Sequence, residues 1–94
     1  MRILFLSSYT EVIRMNVKEA VVARFMEIMQ ERRIKANELA NLSGVTPSSV
    51  YSMLDPHRRE VTVNLVKKLC DGLDIPLGLF FSAPIFDELE QEIR

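Results

Sequence analysis

The stretch ANELANLSGVTPSSVYSML, residues 36–54, reads as two short helices joined by a tight turn. Ala40 falls midway along the first, where a small side chain lets a crossing helix come close. Gly44 stands where the chain reverses, and a positive φ there costs glycine little. Thr46 can cap the second helix through its hydroxyl, and Pro47 suits the first helical position, where its missing N–H needs no partner. Leu39, Val45, Val50 and Met53 point inward, with Val50 and Met53 three apart on one face. Together these spacings predict a helix-turn-helix whose second helix, at about residues 47–54, enters a DNA major groove.

The arrangement resembles the lambda-repressor-like (Cro/XRE) helix-turn-helix family, and the resemblance extends beyond the motif. The segment VTVNLVKKLCDGLDIPLGLFF, residues 61–81, is similar to that family's fourth helix, its Gly-containing exit and its short fifth helix. Residues 20–34 are similar to its first helix. The resemblance covers residues 17–82 and implies an all-α, five-helix bundle that binds duplex DNA as a sequence-specific transcriptional regulator, a repressor by preference. Outside it lie an apolar N-terminal arm, residues 1–16, and an acidic C-terminal tail, residues 83–94.

A chain of 94 residues has room for one domain and one modest core. No stretch is rich enough in Gly, Ser or Pro to be a linker, and no repeat appears. The lone Cys70 excludes an intramolecular disulfide, and its place on the apolar face of the fourth helix makes it a small buried hydrophobe. A reducing, cytoplasmic setting fits. Formal net charge is −1, which argues against DNA binding, since such domains are usually basic. The distribution weakens that objection: Asp87, Glu88, Glu90 and Glu92 sit together at the C-terminus, while Arg32, Arg33, Lys35, Arg58 and Arg59 cluster in the loops flanking the motif. The field at the contact surface matters more than the sum over the chain. No apolar run is long enough to span a membrane or form a signal-peptide core; Ile3 to Leu6 is too short and Glu11 breaks any longer reading.

Ile3 to Leu6 reads as a short strand within the arm, and Met15-Asn16-Val17 resembles a natural start for the family. The first helix is expected over Val17–Arg33, with Val22, Phe25, Ile28, Met29 and Arg32 at amphipathic spacing. Pro56 blocks continuation of the recognition helix and moves Asp55 out of the α region. The fourth helix should start with Thr62 as N-cap and bury Val63, Val66, Leu69, Cys70 and Leu73. A last helix carries Leu77, Phe80 and Phe81 inward. Beyond Pro84, residues 85–93 have helical spacing with an acidic opposite face, which should point away from bound phosphates.

On the recognition helix Ser48, Tyr51 and Ser52 share the face opposite Val50, and Pro47 lies at its N-terminal rim, where the family places base-contacting residues. Serine hydroxyls can donate to or accept from base edges, and tyrosine offers a ring to a thymine methyl. None of these side chains makes a bidentate bond to guanine or adenine, so discrimination should lean on groove shape and dimer spacing. The plainer alternative is that Ser48 and Ser49 only cap their own helix. By the resemblance, Lys35 and Asn37 at the start of the motif's first helix should meet a phosphate, with Arg58 and Arg59 reaching the backbone from the following loop. A solvated basic loop is the alternative there. His57 has no second ligand, so no metal site is expected.

An enzyme reading fails on inventory: one His, one Cys and no Gly-rich phosphate loop assemble no catalytic constellation, and no cofactor is implied. The rival function is an interaction module. Antitoxins and small phage regulators of this family also bind a protein partner, a toxin or antirepressor, through extensions such as the two present here. Base readers this few call for a homodimer on a two-fold operator. The apolar surfaces available are the arm at Ile3 to Leu6 and the tail at Ile85, Phe86, Leu89 and Ile93, and residues 1–14 are expected to cross to, or pair with, the other subunit.

Overall fold

The computed structural model describes residues 15–93. These fold as α1 (Val17–Arg32), α2 (Ala36–Ser43), α3 (Pro47–Leu54), α4 (Val63–Gly72) and α5 (Leu77–Phe80), followed by a 3₁₀ turn over Pro84–Asp87. The described residues contain five α-helices and no strand, as the five-helix reading expects. The strand expected at Ile3 to Leu6 lies outside them.

Local chemistry sets each boundary. Asn16 starts α1 with a reciprocal capping box: its Oδ1 accepts from Glu19 N–H at 2.8 Å, and Glu19 Oε1 accepts from Asn16 N–H at 3.0 Å. Thr46 and Thr62 cap α3 and α4 by accepting from the N–H groups of Ser49 and Leu65. Three helices end in the same left-handed motif. In α2, Val45 N–H reaches Ala40 O at 3.1 Å around Gly44, whose φ is 68°. In α1 and α4 the equivalent bonds run from Ile34 to Met29 O and from Ile75 to Cys70 O, around Arg33 (φ 58°) and Asp74 (φ 60°). The first helix therefore stops at Arg32, and Arg33 is the residue that turns the chain.

The core joins Phe25, Ile28, Leu39, Ala40, Val50, Met53, Val66, Leu69, Cys70 and Phe80, all buried as expected. Phe80 anchors it, with its ring centroid 4.5 Å from that of Phe25. Four placements differ. Val21 rather than Val22 takes the central position on α1, because Val21, Phe25 and Ile28 fall at the 4 and 3 spacing of the inward stripe; Val22 is half-buried at its edge, as Val45 is in the turn. Val63 is 70% exposed: it is the first helical residue of α4, and Val61, in the extended entry to that helix, packs on the core instead. Phe81 is 38% exposed and lies across the edges of Phe80 and Phe86.

The tail also departs from its helical spacing. After the 3₁₀ turn, residues 88–93 form no helix, and Glu90 N–H bonds Met15 O at 2.9 Å. Phe86 is drawn against Phe80 and Phe81, and the crowded carboxylates of Asp87, Glu88, Glu90 and Glu92 oppose a helix.

α2 and α4 cross at close range. A Cβ on Gly72 would overlap Ser43 Oγ and lie 2.8 Å from Ser43 Cα and 2.9 Å from the Leu42 carbonyl carbon. Glycine at 72 is what permits this crossing, a role the sequence assigns only to Ala40.

Candidate nucleic-acid interface

Two cationic populations separate in this fold. The first belongs to α1 and works inward. Lys18 Nζ donates to Asp55 O at 2.7 Å, Arg32 Nη1 to Leu73 O at 2.6 Å and Arg24 Nε to Phe80 O at 3.4 Å. Each acceptor is at the C-terminal end of a different helix, α3, α4 and α5 respectively, where carbonyls lack intrahelical partners and the dipole favours positive charge. Arg24 also pairs with Glu27 at 2.8 Å, and on α4 Lys67 pairs with Asp71 at 2.5 Å.

The second population is exposed. Arg33 and Lys35 stand in the α1–α2 loop, Arg58 and Arg59 in the α3–α4 loop. Among the described residues none of these four side chains makes an ion pair or a hydrogen bond to protein. Lys35 is the N-cap of α2, yet α2 has no side-chain cap, unlike α1, α3 and α4. Its first N–H groups are left for an external acceptor, beside the exposed Lys35 and Asn37.

α3 is held at both ends. At its start Thr46 Oγ1 lies 3.0 Å from both Ser48 Oγ and Ser49 Oγ. Thr46 can donate to one serine and accept from the other, and Ser48 Oγ, with one hydrogen and two lone pairs, keeps capacity for an outside partner. Pro47 and Ser48 are exposed, Tyr51 is 55% exposed despite its size, and Ser52 is half-buried. At its end Asp55 leaves the α region at ψ 118° and closes a turn: Arg58 N–H reaches Asp55 O at 3.1 Å, and His57 N–H reaches Asp55 Oδ1 at 2.9 Å. The His57 backbone N–H, then its ring at 3.1 Å, hold the Asp55 carboxyl below its ordinary range. His57 is thus a turn residue, and among the described residues no group of three His, Cys, Asp or Glu side chains could hold a metal.

The expected residues thus fall on three pieces: Pro47, Ser48, Tyr51 and Ser52 on α3, Lys35 and Asn37 at the open end of α2, and Arg58 and Arg59 on the turn that follows α3. One placement runs against expectation, because Glu92 of the acidic tail lines the same cleft as Arg59 and Glu60. Lys18 and Asp55 were not foreseen as parts of the site. The signal for Lys18 was there: it continues the inward stripe of Val21, Phe25 and Ile28 by one turn, an unusual place for lysine unless it is bonded.

The sequence model of the Cro/C1-type HTH DNA-binding domain matches residues 24–82. No curated protein matches the chain significantly. The fold is similar to the crystal structure of the prophage Lp1 protein 11, with a TM-score of 0.70 and 27% sequence identity over 80% of this chain and 99% of that one. No helix among the described residues is long and apolar enough to cross a membrane. With its motif, its five helices and this match in agreement, the chain belongs to the Cro/C1-type helix-turn-helix DNA-binding domains, a regulatory family and not a class of enzymes.

Proposed function

We propose that the chain is a sequence-specific transcriptional repressor that acts in the cytoplasm by laying α3 in the major groove of a duplex operator. The separation of cations carries this reading: those of α1 are spent on helix ends, while among the described residues Arg33, Lys35, Arg58 and Arg59 find no partner in the two loops that flank the helix-turn-helix. Lys35, Asn37 and the uncapped end of α2 hold one phosphate, and Arg58 with Arg59 another; these contacts set the register of α3. Pro47, Ser48, Tyr51 and Ser52 then face the bases, with Tyr51 as the principal apolar reader. Two copies are needed to find one site in a genome, and residues 1–14 are proposed to join them, since Phe86 is already engaged with Phe80 and Phe81. Sedimentation of the full chain beside one starting at Met15 tests the dimer: identical species at micromolar concentration refute it.

The test of function is binding at low salt to a library of genomic fragments and to the promoter of the chain's own gene. Enrichment of a two-fold sequence supports the reading, and binding to neither refutes it. A second reading, a phage-type regulator or antitoxin that acts through a bound toxin or antirepressor, is favoured by the likeness to a prophage protein.

A further inference from the structure

Lys18 presents an energetic puzzle. It is 6% exposed, so neither a base nor a phosphate reaches it, and its amine is held by the Asp55 carbonyl 37 residues away. That carbonyl already accepts from Arg58 N–H, so it would not be orphaned without the lysine. Burying an amine costs free energy, and an apolar side chain of the same length would fill the place more cheaply. Stability of the bundle therefore gives no reason for lysine here.

What the lysine adds is a fixed point. Asp55 is at once the C-cap of α3 and the hub of the turn, with its carbonyl bonded to Arg58 and its carboxylate to His57. The Lys18 side chain lies between two clefts, one walled by Pro56, His57 and Arg58, the other by Glu60 and Val61, with Arg59 bordering both. It ties the end of the recognition helix and the base of the two-arginine loop to α1. We propose that Lys18 is a positioning residue for DNA binding, holding the 55–59 turn so that Arg58 and Arg59 meet the phosphate backbone together. This rests on the preceding reading that those arginines contact phosphates. Its benefit is preorganisation: a loop fixed beforehand loses less entropy when it binds.

The test uses the full chain as wild type, Lys18→Met, Lys18→Arg, the double variant Arg58→Ala/Arg59→Ala, and the double variant combined with Lys18→Met. Without DNA, amide hydrogen exchange is followed at Arg58 and at Leu69 in the core. Lys18→Met is expected to speed exchange at Arg58 about tenfold and leave Leu69 unchanged, because only the turn loses an anchor. An equal rise at both sites marks general destabilisation and overturns the proposal. With duplex DNA, Lys18→Met should weaken binding about tenfold and flatten its salt dependence by up to about two ions, although Lys18 touches no phosphate. Lys18→Arg, which can still donate to Asp55 O, should restore both. In the background lacking Arg58 and Arg59, adding Lys18→Met should change neither quantity. An equal loss of affinity in both backgrounds overturns the positioning role. If the wild-type chain binds no duplex DNA, it is the preceding reading that falls, and local exchange at Arg58 still decides whether Lys18 fixes the turn.

Discussion

Replacing Gly72 by alanine sets two opposing effects against each other. Gly72 has no positive φ, so the substitution should gain about 1 kcal/mol from helix propensity and the reduced entropy of the unfolded chain. Against this, the new Cβ would sit 2.8 Å from Ser43 Cα and 2.9 Å from the Leu42 carbonyl carbon, where ordinary contact begins at 3.4 Å. Both atoms are backbone, so rotating a side chain cannot relieve them, and α2 must move off α4 by about half an ångström. Overpacking of this kind costs about 1–3 kcal/mol, occasionally more, and the displaced helix opens contacts around Leu39 and Ala40 as well. The clash should win, with a net loss of about 1 kcal/mol and a fall in Tm of about 4–8 °C for a domain this small. Ser43→Ala provides the control. Among the described residues the Ser43 hydroxyl is buried without a partner, so its removal should be neutral or stabilising by about 1 kcal/mol. It should help more in the Gly72→Ala background, where it removes the worst overlap but not the backbone contacts, a coupling measurable by a double-mutant cycle in urea. Gly72→Ala more stable than wild type would refute the close crossing.

Four further outcomes are expected. Burial, with a smaller push from Asp71, raises the Cys70 thiol from 9.0 to about 11. The unfolded chain then ionises before the native one, so urea stability should hold below pH 9 and fall between pH 9 and 11, by at most about 1.4 kcal/mol per pH unit; Cys70→Ala should abolish that slope. Asp74→Gly should stabilise α4 by about 1 kcal/mol, since it relieves a left-handed residue and removes a carboxylate from a helix C-terminus, and a lower melting temperature would contradict this. Arg58→Ala or Lys35→Ala should weaken DNA binding evenly across sequences and reduce the salt slope by about one ion each, whereas Tyr51→Ala or Ser48→Ala should alter which sequences are preferred in a selection assay. Glu92→Gln should strengthen DNA binding about twofold to fivefold at low salt by removing a carboxylate beside Arg59, and identical affinities would show the tail is clear of the phosphates.

Features that depend on near neighbours were legible in the sequence. The glycine turn at residue 44, the threonine caps at 46 and 62 and Pro47 each follow from a residue's own conformational preference, and together they located the motif. Features set by contact between distant segments were not. Two adjacent valines stand where the inward stripe of α1 begins; the spacing suggests Val22, and the folded bundle buries Val21. Arg33 and Asp74 adopt a conformation that glycine prefers, so no residue type marked those helix ends. Gly72 looked like part of a helix exit, whereas its purpose is the approach of Ser43 from a different helix. For the site, residue identity indicated which cations could meet phosphates but not which were already committed. Arg24 and Arg32 look as available as Arg58 until the carbonyls of Phe80 and Leu73 are seen beside them.

The three cations that α1 extends to the ends of α3, α4 and α5 bear on how the chain folds. Their bonds span 37, 41 and 56 residues, far longer than the local contacts within the helix-turn-helix. α2 and α3 can meet early, but the carbonyls of Leu73 and Phe80 gain their side-chain donors, and Asp55 O its second donor, only when α1 docks. Closing such long loops is slow relative to forming a helix, which makes the arrival of α1 the natural late step of folding. It also leaves no stable halfway state: losing α1 strips three helices of their end contacts together, so the bundle should unfold in a single transition and resist proteolysis until it opens as a whole.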